Sequence, residues 1–211
     1  GIDTGVESSA NDITPFRAIM NDMYAKDISK KIKSVKRDKQ RKGQFIGGKP
    51  MFGYKMHPTE KNQIVVDEEA AQIVRRIFAM ALEGISCRKI ATQLNEDHVP
   101  TPATYAGLTV ANPGPYTGLW SSERISEMLQ NETYIGNMVQ GRTVKISYKS
   151  KKCLKQDRKD WVVVKNTHEP IIDKDTWNIV KKRLGSHERH TRNGEIHYLS
   201  QKVYCKECGS Q

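Results

Sequence analysis

The apolar positions of the first fifty residues follow a helical period. Thr14-Pro15 begins the pattern, and proline at the first helical position costs no hydrogen bond. Apolar side chains then recur on one stripe, at Phe16, Ile19, Met20, Met23, Ile28, Ile32 and Val35. Because no helix-breaking residue comes before Gly43, the pattern predicts a helix of about 28 residues. After Val35 the helix is polar all round, so its distal end is expected to project from the core.

Four shorter amphipathic patterns follow, and each begins with a residue that can cap a helix. The capping residues are Asp67, Ser86, Ser121 and Asp173. The first of these helices is expected to end at Gly84 and the last at Gly185. Trp120 and Ile125 occupy the two positions of a hydrophobic staple around Ser121, and Ile172 and Trp177 do the same around Asp173.

Strand patterns are shorter and less regular. They cover residues 52–56, 64–66, 134–140, 144–148 and 161–164, and Gly141-Arg142 is a candidate hairpin turn between the third and the fourth. Residues 100–118 hold four prolines and three glycines, which predicts a long irregular loop. The pattern predicts an α+β fold, in which a long N-terminal helix precedes a helix-rich domain with short strands.

Charge changes this picture because it is concentrated in two segments. The chain has 35 basic and 24 acidic residues, a formal net charge of +11. Residues 26–49 carry ten basic against two acidic residues, and residues 142–165 carry nine against two. These segments alone have net charges of +8 and +7, which leaves −4 for the rest. They could be solvated faces, but the first covers the helix end without an apolar stripe, so a polyanionic partner is the better interpretation.

Lysine and arginine in such segments are suited to phosphate contacts. In the first segment the candidates are Lys30, Lys33, Lys36, Arg37, Arg41, Lys42, Gln44 and Lys49, and the glycine-containing linker 43–50 would suit a path along a phosphate backbone or in a minor groove. In the second they are Arg142, Lys145, Lys151 and Lys152, on what is expected to be a flexible arm.

Base reading needs a rigid element in a groove, and the Ser121 helix is the best candidate. Ser122 and Arg124 lie at its outward positions. The Ser86 helix could support it in a non-standard helix-turn-helix. The alternative is an ordinary capped core helix.

Cys205 and Cys208 form a Cys-x-x-Cys pair followed by glycine, as in half of a zinc ribbon. The other two ligands could come from upstream histidines, at His187, His190 and His197. A zinc ribbon, however, takes its second ligand pair from a later hairpin. Zinc is therefore expected in a longer protein and not in this chain. Cys87 and Cys153 are expected to be reduced thiols without a special role.

The inventory of catalytic motifs is thin, and no residue is predicted to be catalytic. The sequence shows no Ser-His-Asp grouping, paired carboxylates or His-Glu-x-x-His. It begins without methionine and stops just after the cysteine pair, so it is expected to be a piece of a longer polypeptide. It has no apolar run long enough for a membrane span, and a cytoplasmic, nucleoid-associated protein is expected.

Several short motifs also follow one another in a recognisable order. They lie at residues 11–12, 15–16, 21–32, 47–50, 52–54, 66–70, 73–78, 84–86, 90–95 and 131–136, together with Trp120 and Ile125. Asn21-Asp22-Met23-Tyr24, Gly47-Gly48-Lys49-Pro50 and Asn131-Glu132-Thr133-Tyr134 are examples. This succession resembles the large serine recombinases of bacterial phages and mobile elements.

The resemblance implies a division into three parts. Residues 1–43 would be the end of a catalytic domain with its long helix, through which such enzymes self-associate. Residues 44–185 would be the recombinase DNA-binding domain, and residues 186–211 the start of a truncated zinc-ribbon domain. The partner would be a double-stranded DNA attachment site, and the serine that forms the phosphoserine intermediate would lie before Gly1.

Two other functions remain open from the sequence. A transcription regulator with an unusual helix-turn-helix would need no catalytic domain, and an RNA-binding zinc-ribbon protein would prefer RNA to duplex DNA. Competition between the two nucleic acids separates the last possibility from the others.

Overall fold

A computed structural model describes residues 13–108 and 117–185 of the chain. The helices of these residues are α1 (Thr14–Arg41), α2 (Glu68–Leu82), α3 (Cys87–Glu96), α4 (Pro102–Tyr105), α5 (Ser122–Leu129) and α6 (Lys174–Gly185). Their strands are β1 (Tyr54–Met56), β2 (Ile64–Val66), β3 (Met138–Gln140), β4 (Thr143–Lys145), β5 (Cys153–Lys155) and β6 (Val162–Val164). Short 3-10 helices lie at Glu132–Ile135 and Arg158–Asp160. The expected α+β class, with its long N-terminal helix and short strands, is confirmed.

The strands form small two-stranded sheets. β1 pairs with β2, β3 pairs antiparallel with β6, and β4 pairs antiparallel with β5. Met138 faces Val164 in the β3–β6 register, and Thr143 faces Lys155 in the β4–β5 register.

The chain divides into two compact units that interleave along the sequence. Among the described residues, the first unit contains 13–50, 56–64 and 137–168. The second contains 51–55, 65–108, 117–136 and 169–185. The first therefore holds α1 and β3 to β6, and the second holds α2 to α6.

The second unit has a hydrophobic core. Its fully enclosed side chains come from α2, α3, α5, α6 and the 3-10 turn after α5, and include Val74, Ile77, Phe78, Ile90, Leu94, Ile125, Leu129, Tyr134 and Val180. In the described part of the first unit, by contrast, only Ile64 and Met138 are buried. The second unit is thus stabilised mainly by apolar burial, and the first relies more on hydrogen bonds and ion pairs.

Three of the four predicted capping residues accept a hydrogen bond from the first turn of their helix. Ser86 Oγ accepts from the Lys89 backbone N–H at 3.4 Å, and Ser121 Oγ accepts from that of Arg124 at 3.3 Å. Asp173 accepts from the Thr176 N–H at 2.7 Å. Asp67 precedes α2 as expected but makes no side-chain cap. Its carboxylate instead accepts from the Tyr105 hydroxyl at 3.2 Å.

The expectation for the two ends of α1 was wrong. The apolar stripe on its first half is exposed, with Phe16 at 63% and Met23 at 62%. The polar end that was expected to project is the better covered one, since Lys39 and Gln40 are half-buried. Helical periodicity shows which residues share a face, but not whether another element covers that face.

The predicted hairpin at Gly141-Arg142 was also wrong. β3 pairs with β6, and β4 pairs with β5, which the strand patterns did not include. Alternation indicates a strand without indicating its partner, and β5 lies in a lysine-rich stretch with little apolar signal. Residues 134–135, expected to be extended, belong to a 3-10 helix.

Two buried tyrosines of the second unit are expected to affect stability in opposite ways when each is replaced by phenylalanine. The Tyr54 hydroxyl lies 3.1 Å from the Thr133 carbonyl oxygen and 3.0 Å from that of Glu169. The Tyr134 hydroxyl is buried without a partner among the described residues. Tyr54→Phe is therefore expected to lower the free energy of unfolding by about 1 kcal/mol, whereas Tyr134→Phe should leave it unchanged or raise it.

Urea unfolding of the two variants beside the wild type measures both effects. Burial raises the pKa of both tyrosines, so the neutral phenols favour the fold. Their contribution is complete below the unfolded-state pKa of about 10 and is lost as pH rises from there through the folded-state values. Each variant should accordingly lose less stability above pH 10 than the wild type. Equal destabilisation by the two substitutions at neutral pH would contradict this account.

Candidate nucleic-acid interface

The two basic segments of the sequence come together in the first unit. Its described residues include 21 lysines and arginines against six aspartates and glutamates, a formal net charge of +15. The described residues of the second unit include 10 basic and 12 acidic residues, a net charge of −2. Nearly all the excess positive charge therefore belongs to the unit with almost no core.

Helix α1 carries a basic stripe on one face. Lys30, Lys33 and Arg37 are exposed and recur three and four residues apart, as residues on one helix face do. Arg41 continues the stripe one turn later. About half a turn away, Ile32 and Val35 line a groove of about 430 Å³ together with Ile46, Asn62 and the lysines Lys31, Lys36 and Lys39. The basic stripe thus faces away from the groove and is available to a ligand.

The linker after α1 is held by its neighbours where the sequence predicted a path along DNA. The Gln140 side chain donates to the Gln44 carbonyl at 2.8 Å and accepts from the Ile46 N–H at 3.1 Å. The Phe45 N–H donates to the Asn62 carbonyl at 2.7 Å. At Gly43, with φ of +72°, an added Cβ would lie 2.5 Å from Thr167 Cγ2. Lys42 and Lys49, on either side of this stretch, are exposed.

The second basic segment contains a folded hairpin. The expectation of a flexible arm was therefore wrong. β4 and β5 pair over three residues each, with hydrogen bonds beyond them from Ile146 N–H to Lys152 O at 3.2 Å and from Gln156 N–H to Arg142 O at 2.8 Å. Lys145, Lys151 and Lys152 are exposed on it. Backbone pairing fixes these lysines on a short ribbon, although the sequence there is dominated by charge.

Arg142 lies at the base of this hairpin beside an aromatic ring. Its guanidinium carbon is 5.1 Å from the centre of the Trp161 ring, and that of Arg158 is 6.0 Å away. The indole N–H donates to the Gln156 carbonyl at 3.0 Å. Since an aromatic face attracts a guanidinium, Trp161 orients two cations at one end of the basic unit.

The predicted base-reading residues belong to the second unit. Arg124 is exposed on α5, while Ser122 is half-buried and donates to the Glu123 carboxylate at 3.0 Å. α5 packs against α3, and Asn95 bonds both the N–H and the carbonyl of Trp120, at 2.8 and 3.1 Å. The two helices of the predicted helix-turn-helix are therefore in contact, but the motif itself stays a prediction.

The structure also tests for a metal-binding cluster, for free thiols and for a membrane-spanning helix. Within residues 13–108 and 117–185, no cluster of three His, Cys, Asp or Glu side chains is arranged to hold a metal ion. Cys205 and Cys208 lie outside the described residues, as do His187, His190 and His197. Cys87 and Cys153 are free thiols, and burial raises the pKa of Cys87. None of the helices in the described ranges has the length and apolar character needed to cross a membrane.

A family model described as Recombinase matches residues 68–186, more than half of the chain. The chain belongs to the Recombinase family. This confirms the resemblance to the large serine recombinases. The matched residues begin at α2, so α1 and the linker lie outside them.

The other comparisons cover parts of longer proteins. The uncharacterized protein YefB of Bacillus subtilis (strain 168) is 28% identical over 92 residues, which are 44% of this chain and 31% of YefB. A solved structure described as a crystal structure of an LSR–DNA complex is similar with a TM-score of 0.52 and 20% identity, over 85% of this chain and 47% of that one. A second, from work on sequence requirements of the Listeria innocua prophage attP site, has a TM-score of 0.50 and 19% identity, over 85% and 62%. The chain thus spans less than two thirds of each of these proteins, and the structures support its fold.

Sequence reasoning missed the residues that arrange the basic unit of this recombinase-family chain. Gln140 and Tyr148 were only positions in predicted strands, Asp22 was only a member of a family motif, and Lys149 was not named. Asp22 contacts Tyr148 across 126 positions of sequence. α1 has three acidic residues, Asp22, Asp27 and Asp38, so composition does not distinguish Asp22 from the other two.

Proposed function

We propose that this chain binds duplex DNA as the DNA-binding part of a serine site-specific recombinase, which cuts and rejoins DNA through a serine that lies elsewhere in the protein. The observation that carries the proposal is the net charge of +15 on the first unit of a Recombinase-family chain. A cationic surface of this size favours a polyanion, because each phosphate contact releases condensed counterions. The similar solved structures are described as a DNA complex and as work on an attP site, which agrees with this partner.

The two units would divide the work of recognition. Phosphate contacts from Lys30, Lys33 and Arg37 would set affinity and orientation without reading sequence. Lys36, Arg41, Lys42, Gln44 and Lys49 would extend these contacts along α1 and the linker, and Arg142, Lys145, Lys151 and Lys152 would add those of the hairpin. Ser122 and Arg124 on α5 would read base edges, since a rigid helix can present them to a groove.

The rest of the proposed organisation follows the family. Residues 1–43 would end a catalytic domain, 44–185 would form the DNA-binding domain, and 186–211 would begin a zinc ribbon that binds zinc in the longer protein. The exposed stripe of α1, with Phe16 and Met23 among its residues, would be covered by a second copy of the chain. In this proposal a cytoplasmic location follows from the DNA partner.

A pair of substitutions tests the division of work. Arg124→Ala should relax the preference for a cognate site by about 1–3 kcal/mol, at one or two base pairs. Arg37→Ala should weaken binding to all duplexes alike and reduce the slope of log affinity against log salt by about 1. Fluorescence anisotropy with duplexes from DNA flanking the gene, and with scrambled duplexes, measures both. Lys174→Ala on α6, which removes one exposed charge from the second unit, is the matched control and should change neither quantity.

Binding data and the sequence of the complete gene separate the alternatives. Unaltered selectivity in Arg124→Ala would remove α5 from its base-reading role. Tighter binding to RNA than to duplex DNA of the same sequence would favour the RNA-binding alternative. If the complete gene encodes no Ser in an Arg-rich setting before these residues, a transcription regulator would replace the recombinase.

A further inference from the structure

The hairpin of residues 143–155 has no core of its own. None of its residues is buried, and its apolar side chains Val144, Ile146 and Leu154 are 40%, 52% and 51% exposed. A two-stranded ribbon of this size is marginally stable in water when nothing packs against it. Its contacts with other elements of the first unit therefore matter for its position.

The tip of the hairpin contacts one carboxylate of α1. The Tyr148 hydroxyl donates to Asp22 Oδ1 at 2.5 Å, and Lys149 Nζ lies 2.6 Å from the same oxygen. Lys149 Nζ is also 5.5 Å from the centre of the Tyr148 ring, so a cation–π interaction joins the two side chains. The hydrogen bond with Lys149 lowers the pKa of Asp22, which keeps the carboxylate charged.

The hairpin approaches α1 on the side that carries the basic stripe. Asp22 and Lys33 are eleven residues apart, about three helical turns, and so share a face. Three residues before the hairpin, Gln140 of β3 contacts the linker after α1 through Gln44 and Ile46. The tip of the hairpin therefore contacts α1 at its ninth residue, and the strand that precedes the hairpin contacts the linker that follows α1.

We propose that Asp22 is a positioning residue, which holds the basic hairpin against α1 so that Lys145, Lys151 and Lys152 join the stripe of Lys30, Lys33 and Arg37 in one phosphate-binding surface. The proposal rests on the proposed function, because it assigns Asp22 a role in duplex DNA binding. It also reverses the effect expected from charge alone. Removing a carboxylate from a cationic surface should strengthen binding to DNA, whereas releasing the hairpin should weaken it.

Asp22→Asn tests this proposal, with Asp27→Asn as the matched control. Asp27 lies on the same helix and pairs only locally, with Lys31 at 2.9 Å, so it gives the effect of the charge by itself. Asp22→Asn is expected to lose tenfold to 100-fold in duplex affinity at 0.15 M salt and to reduce the salt slope by about 2 to 3, as the loss of up to three phosphate contacts would. Asp27→Asn should bind as tightly as the wild type or more tightly. Asp22→Glu, which keeps the carboxylate, should recover part of the affinity and slope.

Hydrogen exchange without DNA is the second readout. Amides of residues 143–155 should exchange faster in Asp22→Asn than in the wild type, while those of α2 and α3 and the thermal midpoint stay unchanged. If the two Asn variants match in affinity, slope and exchange, the proposal is wrong. If exchange rises without any change in affinity or slope, the contact exists but the positioning role is refuted. If the wild type binds no duplex, the proposed function fails, and the exchange comparison still decides whether Asp22 holds the hairpin.

Discussion

Reversing the charge of Lys30, Lys33 and Arg37 together to glutamate is expected to lower affinity for duplex DNA at least 100-fold at 0.15 M salt. Affinity varies with salt to a power of about −0.9 per phosphate contact, so one contact is worth roughly fivefold at this concentration. Losing three contacts multiplies these factors, and the new carboxylates add repulsion. The three residues are exposed on one face of α1, so the substitutions should leave the fold intact.

The control for this variant is charge reversal in the second unit. Lys174 and Lys182 are exposed on α6, and replacing both with glutamate should cost much less affinity per reversed charge. Circular dichroism and thermal melting establish that each variant folds, and anisotropy titration gives the affinities. Equal losses per reversed charge would mean that binding follows total charge and that the first unit is not the interface.

Trp120→Ala is expected to be the most destabilising single substitution, at about 3–5 kcal/mol. The side chain is 3% exposed, its indole N–H donates to the Val99 carbonyl at 3.0 Å, and its ring lies 6.0 Å from that of Phe52. Its backbone is also bonded to Asn95, so it joins the end of α3 to the start of α5. A loss of this size is a large fraction of the 5–15 kcal/mol typical of a folded domain.

Urea unfolding measures that loss, and Leu119→Ala is the neighbouring control. Leu119 is 46% exposed, so truncating it should change the free energy of unfolding by no more than about 0.5 kcal/mol. In Trp120→Ala any preference for a cognate site should also decline, because α5 loses the staple that orients Arg124. A change below about 1 kcal/mol would show that Trp120 does not connect the two helices as described.

The sequence predicted four of the five described helices of the second unit because local rules determine them, and it missed α4 in the proline-rich stretch. Ser86 and Ser121 cap the helices that follow them, and the apolar period of α2 matches its buried face. Trp120 and Ile125, identified as a staple, are both buried. In each case the decisive contacts lie within a few residues of sequence, where spacing reports contact directly.

Long-range arrangement in the first unit could not be predicted in this way. The contact of Asp22 with Tyr148 spans 126 positions, and that of Gln140 with Gln44 spans 96. β5 lies among lysines, whose charge conceals a strand pattern. For the candidate site, composition gave the charge of each basic segment. That the two segments belong to one unit depends on the fold, and composition could not show it. The roles of Lys30, Arg124 and the other proposed contacts stay predictions.

A salt titration of the wild-type chain with duplex DNA tests the central claim most directly. If the first unit contacts six or more phosphates, the logarithm of affinity should fall with the logarithm of salt at a slope of about −5 or steeper, a loss near 10³-fold between 50 and 200 mM. A slope near zero, or no binding to duplex DNA even at 50 mM salt, would contradict the account.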